Sequence, residues 1–289
     1  MTVSGYFTLG QGIGGTPSGS NYLGLRDSYS INSGRHFIKF GVEISEEKSS
    51  QATNLNSVGL FTFNGGRTGN PLADFVTGLP AQMQQDSPNT KINNDYYYGL
   101  FIQDDFRVKP RLVLNLGIRY DLQMPITDTR DREVTYIAGR QSTVVPTAPA
   151  GLVFPGDAGI GRGTAPADKN NIGPRVGLAW DVFGDGKTSV RGAAGVFYNS
   201  LSANDWDATS DNQPVTLRQV FPDVQSLTNP YGHVPGGSPF PYVYNPRNPR
   251  FVLPARVLGM APDFTFPYVY QLNTSVQRQL GASWLVGAA

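Results

Sequence analysis

The sequence predicts an all-β fold, an antiparallel up-and-down transmembrane β-barrel, and three observations carry that prediction. Long stretches alternate apolar and polar residues with period 2, which gives a strand one apolar face. Each alternating arm runs to about eleven or twelve residues, close to the roughly 9 to 11 tilted residues that cross a bilayer and twice a usual soluble strand. Short turns alternate with connections of roughly 50 to 70 residues, the rhythm of barrels with brief periplasmic turns and long extracellular loops. On this reading residues 1–289 form one partial barrel domain of about eight strands. Its hairpins lie near 22–46, 96–122, 174–199 and 268–289, and its long loops at 47–95, 123–173 and 200–267.

The first hairpin alternates Leu23, Leu25, Tyr29 and Ile31 with Tyr22, Gly24, Arg26, Ser28 and Ser30, then turns at Asn32-Ser33-Gly34. Its return arm sets His36, Ile38, Phe40, Val42 and Ile44 against Lys39, Gly41, Glu43 and Ser45. In the polar stretch that follows, Leu60 to Phe63 reads as a short strand and Leu72 to Val76, after Pro71, as one helical turn.

The central hairpin is the most regular. Tyr96, Tyr98, Leu100, Ile102, Phe106 and Val108 share a face, as do Leu112, Leu114, Leu116, Ile118, Tyr120 and Leu122, and Asp104 is the one exception. Between the arms stands Lys109-Pro110, where proline ends one ladder and presets the turn. The third hairpin sets Val176, Leu178, Trp180 and Val182 against Arg175, Gly177, Ala179 and Asp181, turns at Gly184 to Lys187, and returns through Val190, Ala194, Val196 and Tyr198. The fourth carries Tyr270, Leu272, Val276 and Leu280, turns at Gly281-Ala282-Ser283, and continues into Trp284-Leu285-Val286. Lys39, Glu43, Arg119, Asp121, Arg175, Asp181 and Arg191 fall on the opposite face, as a wet lumen requires. Tyr96, Tyr97, Tyr98, Trp180, Tyr198, Tyr268 and Trp284 gather near strand ends, where an interfacial aromatic girdle would sit.

Composition narrows the function classes. The 23 basic and 22 acidic side chains leave no electrostatic case for nucleic acid. Absence of cysteine removes disulfides, thiolate metal sites and a cysteine nucleophile. No apolar run reaches the length of a transmembrane helix, a test that a barrel evades by using alternate residues. The segment MTVSGYFTLGQGIGG has no basic region followed by an apolar core, so the expectation is either a protein that is not exported or a fragment.

Residues that invite catalytic or cofactor readings do not assemble into one. Gly10 to Gly15 and Gly156 to Gly163 lack a flanking strand and helix, and Gly186-Lys187-Thr188 lies on a hairpin turn rather than a phosphate loop. His36 and His233 are too few and too separate for a metal cluster. Asp104 and Asp105 are neighbours on a strand and point to opposite faces, so they cannot act as a carboxylate pair. Asn273-Thr274-Ser275 matches a glycosylation sequon in mid-strand. The expectation is no enzyme, no cofactor and no metal. Recognition is expected on the loops, with Tyr231, Phe240, Tyr242 and Tyr244 among the prolines as candidate ligand contacts, although packing within the loop is the commoner role for any one of them.

Four segments carry a likeness. GRHFIKFGVEI, YYGLFIQDDFRVKPRLVLNLGIRYDL, GPRVGLAWDVFGDGKTSVRGAAGVFY and PYVYQLNTSVQRQLG resemble barrel segments of TonB-dependent outer-membrane receptors, nearest the Oar-like group, over about residues 20–289. The resemblance implies a bacterial outer-membrane location, a ring of about 22 strands around a plug, a periplasmic motif that engages TonB, and uptake of a large solute. The chain departs from that pattern, with about eight strands, no plug, no TonB-engaging segment and no terminal insertion strand, so the resemblance implies an internal piece of a longer receptor. The expected partners are outer-membrane lipid, the TonB complex acting through the plug region of the full protein, and an unidentified solute. Two alternatives stay open: a small passive porin-like or adhesin barrel, and a secreted carbohydrate-binding β-sandwich.

Overall fold

The computed structural model describes residues 1–10, 18–53 and 56–289. Eight strands form its wall: β1 (Ser18–Ser33), β2 (His36–Thr53), β3 (Asn89–Lys109), β4 (Leu112–Gln123), β5 (Ile172–Asp181), β6 (Thr188–Tyr198), β7 (Tyr268–Leu280) and β8 (Trp284–Ala288). They pair antiparallel in strict chain order, each with its sequence neighbour, and the two-residue strand Thr127–Asp128 adds to the upper part of β3. No pairing joins β1 to β8 among the described residues, so the sheet is open.

All four hairpin turns lie at one end of the sheet. The first closes between the paired residues Ser33 and His36, with Gly34 at φ +61°, a conformation that costs glycine nothing. The second carries a register shift between Arg107 and Lys109, immediately before Pro110, whose missing N–H cannot serve the ladder. In the third, the Asp181 carboxylate accepts the N–H groups of Gly184 and Gly186, each at 3.0 Å, and so holds the turn.

Register makes the apolar face continuous. Tyr29, Phe40, Ile102, Ile118 and Pro174 follow one another across five strands, and Leu116, Val176, Ala194 and Leu272 form a parallel row. These side chains stand in the open, with Leu116 at 45 % and Ile118 at 46 % exposure, and are not pressed against a second layer. Asp104, the exception on this face, meets the other ionisable residue beside it. Its Oδ2 lies 2.6 Å from His36 Nδ1, and the imidazole stacks on Phe106 at 4.4 Å.

The long connections are more ordered than their composition suggests. β2 and β3 continue to Thr53 and back to Asn89, well past the predicted arms, because their pairing persists for 18 consecutive positions. Beyond them the predicted short strand and helical turn appear as Leu60–Phe63 and helix α1 (Pro71–Thr77). The Asn70 side chain caps α1 by accepting from the N–H groups of Leu72 and Ala73, and Gly78 ends it in the left-handed region.

Leu60–Phe63, Gln82–Asp86, Arg218–Pro222, Thr2–Val3 and Phe7–Thr8 build a second sheet from three separate parts of the chain. Two apolar clusters fill this loop end: Met83, Phe221 and Val224, and Val134, Ala148, Leu152 and Phe154. Trp206 is buried between connections, donating its indole N–H to Gly163 O at 3.0 Å. The structure thus has a sheet-shaped wall and a folded roof at the end opposite the turns. Among the described residues no helix is long and apolar enough to cross a membrane.

Candidate functional site

The polar face of the wall supplies the candidate site. In β2, β3 and β4 the odd-numbered residues share this face, and the cross-strand register brings Glu43 beside Gly99 and Gly99 beside Asp121. A network results from that spacing. Arg26 Nη2 donates to Glu43 Oε1 at 2.5 Å, Arg119 Nη2 to Glu43 Oε2 at 3.1 Å, and Arg119 Nε to Asp121 Oδ1 at 2.8 Å. Tyr97 donates its hydroxyl to Asp121 and accepts from Arg119 Nη2 at 2.6 Å. Charges on a half-wet surface are strongest when hydrogen-bonded on several sides, and Glu43, Tyr97, Arg119 and Asp121 each have at least two partners, while Arg26 adds a single bond at the edge. The network spans four strands and stiffens the wall from within.

Gly41 shows how closely the lumenal side chains pack against the backbone. A Cβ at that position would lie 2.6 Å from the Phe101 ring and from Asp27 O, so the aromatic ring covers the strand only because glycine stands there.

Above the network a cavity of about 410 Å³ opens between wall and roof. The wall contributes Glu43, Glu47, Asp95, Tyr97, Arg119 and Arg175, and the roof contributes Asn171, Asn199, Ser200 and Phe266. Gln123 joins the two parts: its amide accepts from Leu201 N at 2.9 Å and donates to Leu201 O at 2.9 Å and to Asp95 Oδ2 at 2.7 Å. Arg175 lies over the Phe197 ring, 4.5 Å from its centre. A second lumenal hollow, of about 670 Å³, lies nearer the turns between Gln103, Asn115, Arg191, Gln271 and Asn273.

Of the charged residues expected on this face, Glu43, Arg119, Asp121 and Arg175 come together at the cavity, while Arg191 lines the lower hollow and Asp181 is committed to its turn. Tyr97, expected in the aromatic girdle, belongs to the lumenal network. Glu47, Asp95 and Asn171 were not singled out by the sequence. Continuing the odd-numbered alternation past Ser45 and back from Tyr97 reaches the two carboxylates, whereas Asn171 has no local signal.

The four loop aromatics lie in the roof, half-buried. Tyr231 stands edge-on to Phe221 at 5.3 Å and donates to Gln85, and Phe240 packs on the same cluster. Tyr242 donates to Pro214 O at 2.5 Å. Burial pushes the hydroxyls of Tyr242 and Tyr244 upward in pKa. None of the four lines the lumenal cavity.

Among the glycine-rich stretches, residues 11–17 lie outside the described residues. Gly156 to Gly163 is a loop organised by Asp157, whose carboxylate accepts from Ser142, Thr143, Val144 and Phe154. Burial alone would raise this carboxyl, but the N–H groups of Phe154, Thr143 and Val144 and the Ser142 hydroxyl hold it well below the usual carboxylate range. Gly186-Lys187-Thr188 is the third turn, and Asn273 to Ser275 lies within β7.

A family model described as an outer membrane beta barrel domain matches residues 1–289. No curated protein matches the chain, and no solved structure does.

Proposed function

The chain belongs to the outer membrane beta barrel domain family and resides in the bacterial outer membrane, and from that premise we propose that it is the barrel portion of a TonB-dependent, Oar-like receptor for energy-coupled passage of a large solute. The observation that carries this reading is the open wall. Eight strands suffice to close a small barrel around packed side chains. Here β1 and β8 do not meet, while the face they would enclose holds an ionic network and two hollows instead of a packed core. That arrangement fits an arc of a wider ring. Long strands continuing into a folded roof also fit a receptor that meets its solute from outside.

On this reading the chain performs no catalysis of its own, and TonB acts through a plug region of the full protein. The reading predicts that full-length protein purified from outer membranes binds the periplasmic domain of TonB and shows no steady conductance in a planar bilayer. Stable open conductance without TonB binding would instead establish the passive porin-like alternative.

A further inference from the structure

The cavity under the roof contains an arrangement that the wall does not need for its own stability. Glu47 and Asp95 are directly opposite each other on β2 and β3, both on the lumenal face. Directly opposed residues of an antiparallel pair have Cβ atoms about 4.5–5.5 Å apart, and like charges there are destabilising.

Among the described residues no cation pairs with either of them. Glu47 has no hydrogen-bond or ion-pair partner among the described residues, and Asp95 uses only Oδ2, toward Gln123. Its Oδ1 is buried and unpartnered. The two arginines of the cavity are engaged elsewhere, Arg119 by Glu43, Asp121 and Tyr97, and Arg175 over Phe197.

A second, independent feature points the same way. Asn171, 2 % exposed, lines the same cavity, and its Oδ1 is a buried acceptor without a donor. Its position is fixed, because its amide donates to Asp168 O at 3.2 Å and its carbonyl accepts from Asp121 N at 3.0 Å. A buried acceptor left unpaired is destabilising, and no donor lining the cavity reaches Asp95 Oδ1 or Asn171 Oδ1. The cavity also has aromatic walls, Tyr97, Phe197 and Phe266, which favour a cation with an organic body over a bare ion.

We propose that this cavity recognises a cationic solute through a primary ammonium or guanidinium group, whose N–H donors reach Glu47, Asp95 and Asn171 while its carbon skeleton lies against the aromatic walls. This names the solute class for the transport reading and rests on that reading only for the word solute. Binding itself needs no energy coupling.

The test uses full-length protein in detergent, with spermidine as the probe and triethylene glycol as its uncharged counterpart, read by titration calorimetry. Spermidine is expected to bind and triethylene glycol not to bind. Glu47→Gln and Asp95→Asn should each weaken spermidine at least tenfold while leaving the thermal midpoint equal to or above that of the parent, because each substitution removes the like-charge contact. Unchanged affinity in both variants, a lowered midpoint, or calcium binding that spermidine does not displace would overturn the proposal. Spermidine binding by a protein that TonB does not engage would leave this site standing and remove the energy-coupled reading; TonB engagement without spermidine binding would do the reverse.

Discussion

The wall and the roof dispose of apolar side chains in opposite ways. The buried hydrophobic residues, Val3, Phe63, Met83, Ile126, Val134, Leu152, Trp206 and Phe221 among them, lie outside β1 to β8. The wall instead leaves Leu25, Ile102, Ile118, Val176 and Leu272 in the open. In water such a face is a liability, with a bare apolar stripe and two unpaired strand edges inviting association. Against lipid the same face needs no cover, since hydrocarbon is as apolar as the side chains it meets. The roof has water as its solvent and folds inward as a soluble domain does. The contrast teaches that the chain has two solvents, and that the border between them runs where β2 and β3 leave the arms predicted from alternation.

Truncating the roof's largest buried side chain tests the contrast most severely. Trp206→Ala removes a buried indole and its hydrogen bond to Gly163, and should cost about 3–5 kcal/mol. The loss should be confined to the roof, seen as faster protease cleavage within residues 123–173 and 200–267 while the heat-dependent gel mobility of the barrel persists. Simultaneous loss of that mobility would mean that wall and roof are one cooperative unit.

Charge placed on the wall gives the next largest effect, and its sign depends on the face. Ile118→Arg, in the middle of the outward row, should lower folding stability in lipid vesicles by about 2–4 kcal/mol. Gln103→Arg, on the lumenal face, should change it by no more than about 0.5 kcal/mol. Equal costs from urea titration of the two variants would place lipid on neither face.

The smallest effect belongs to pH and to the roof alone. Glu133 is buried, accepts the Asp128 N–H through Oε1, and has no partner for Oε2. Burial, with Asp128 and Asp131 nearby, raises its pKa from 4.5 to about 8. A carboxyl raised on folding contributes stability that is complete below its ordinary value and is lost as pH climbs through the folded one. Roof stability should therefore decline between about pH 4.5 and 8, and Glu133→Gln should flatten that decline, a difference of roughly 1–3 kcal/mol at the upper end. Asp157 slopes the other way, since its lowered pKa gives stability that is lost on acidification. Trp206 fluorescence against denaturant at several pH values reads both.

Much of the wall was legible because alternation is a local property. The even-numbered residues from Tyr96 to Leu122 announce their face without reference to any other part of the chain, and Pro110, Gly184 and Gly281 mark where it must turn. The lumenal network was half legible, since Glu43, Arg119 and Asp121 follow from parity, but their meeting depends on cross-strand register. The roof was hardly legible. Its strands are two to five residues long, too short for a period to show, and Thr2–Val3 finds its partner in Leu60–Phe63 across more than fifty residues. The loop aromatics carry no local sign of whether they face solvent or the Met83 cluster.

The sequence by itself determined which residues form strands, which side of each is apolar, and where the chain reverses, because steric alternation and turn chemistry act over a few neighbouring residues. Tertiary structure alone decided that Glu47 stands opposite Asp95, that Asn171 lines the same cavity with an unpartnered acceptor, and that three distant connections share one roof. Those outcomes depend on register and long-range burial, which are set by the sum of many weak contacts and are written in no single stretch of the chain.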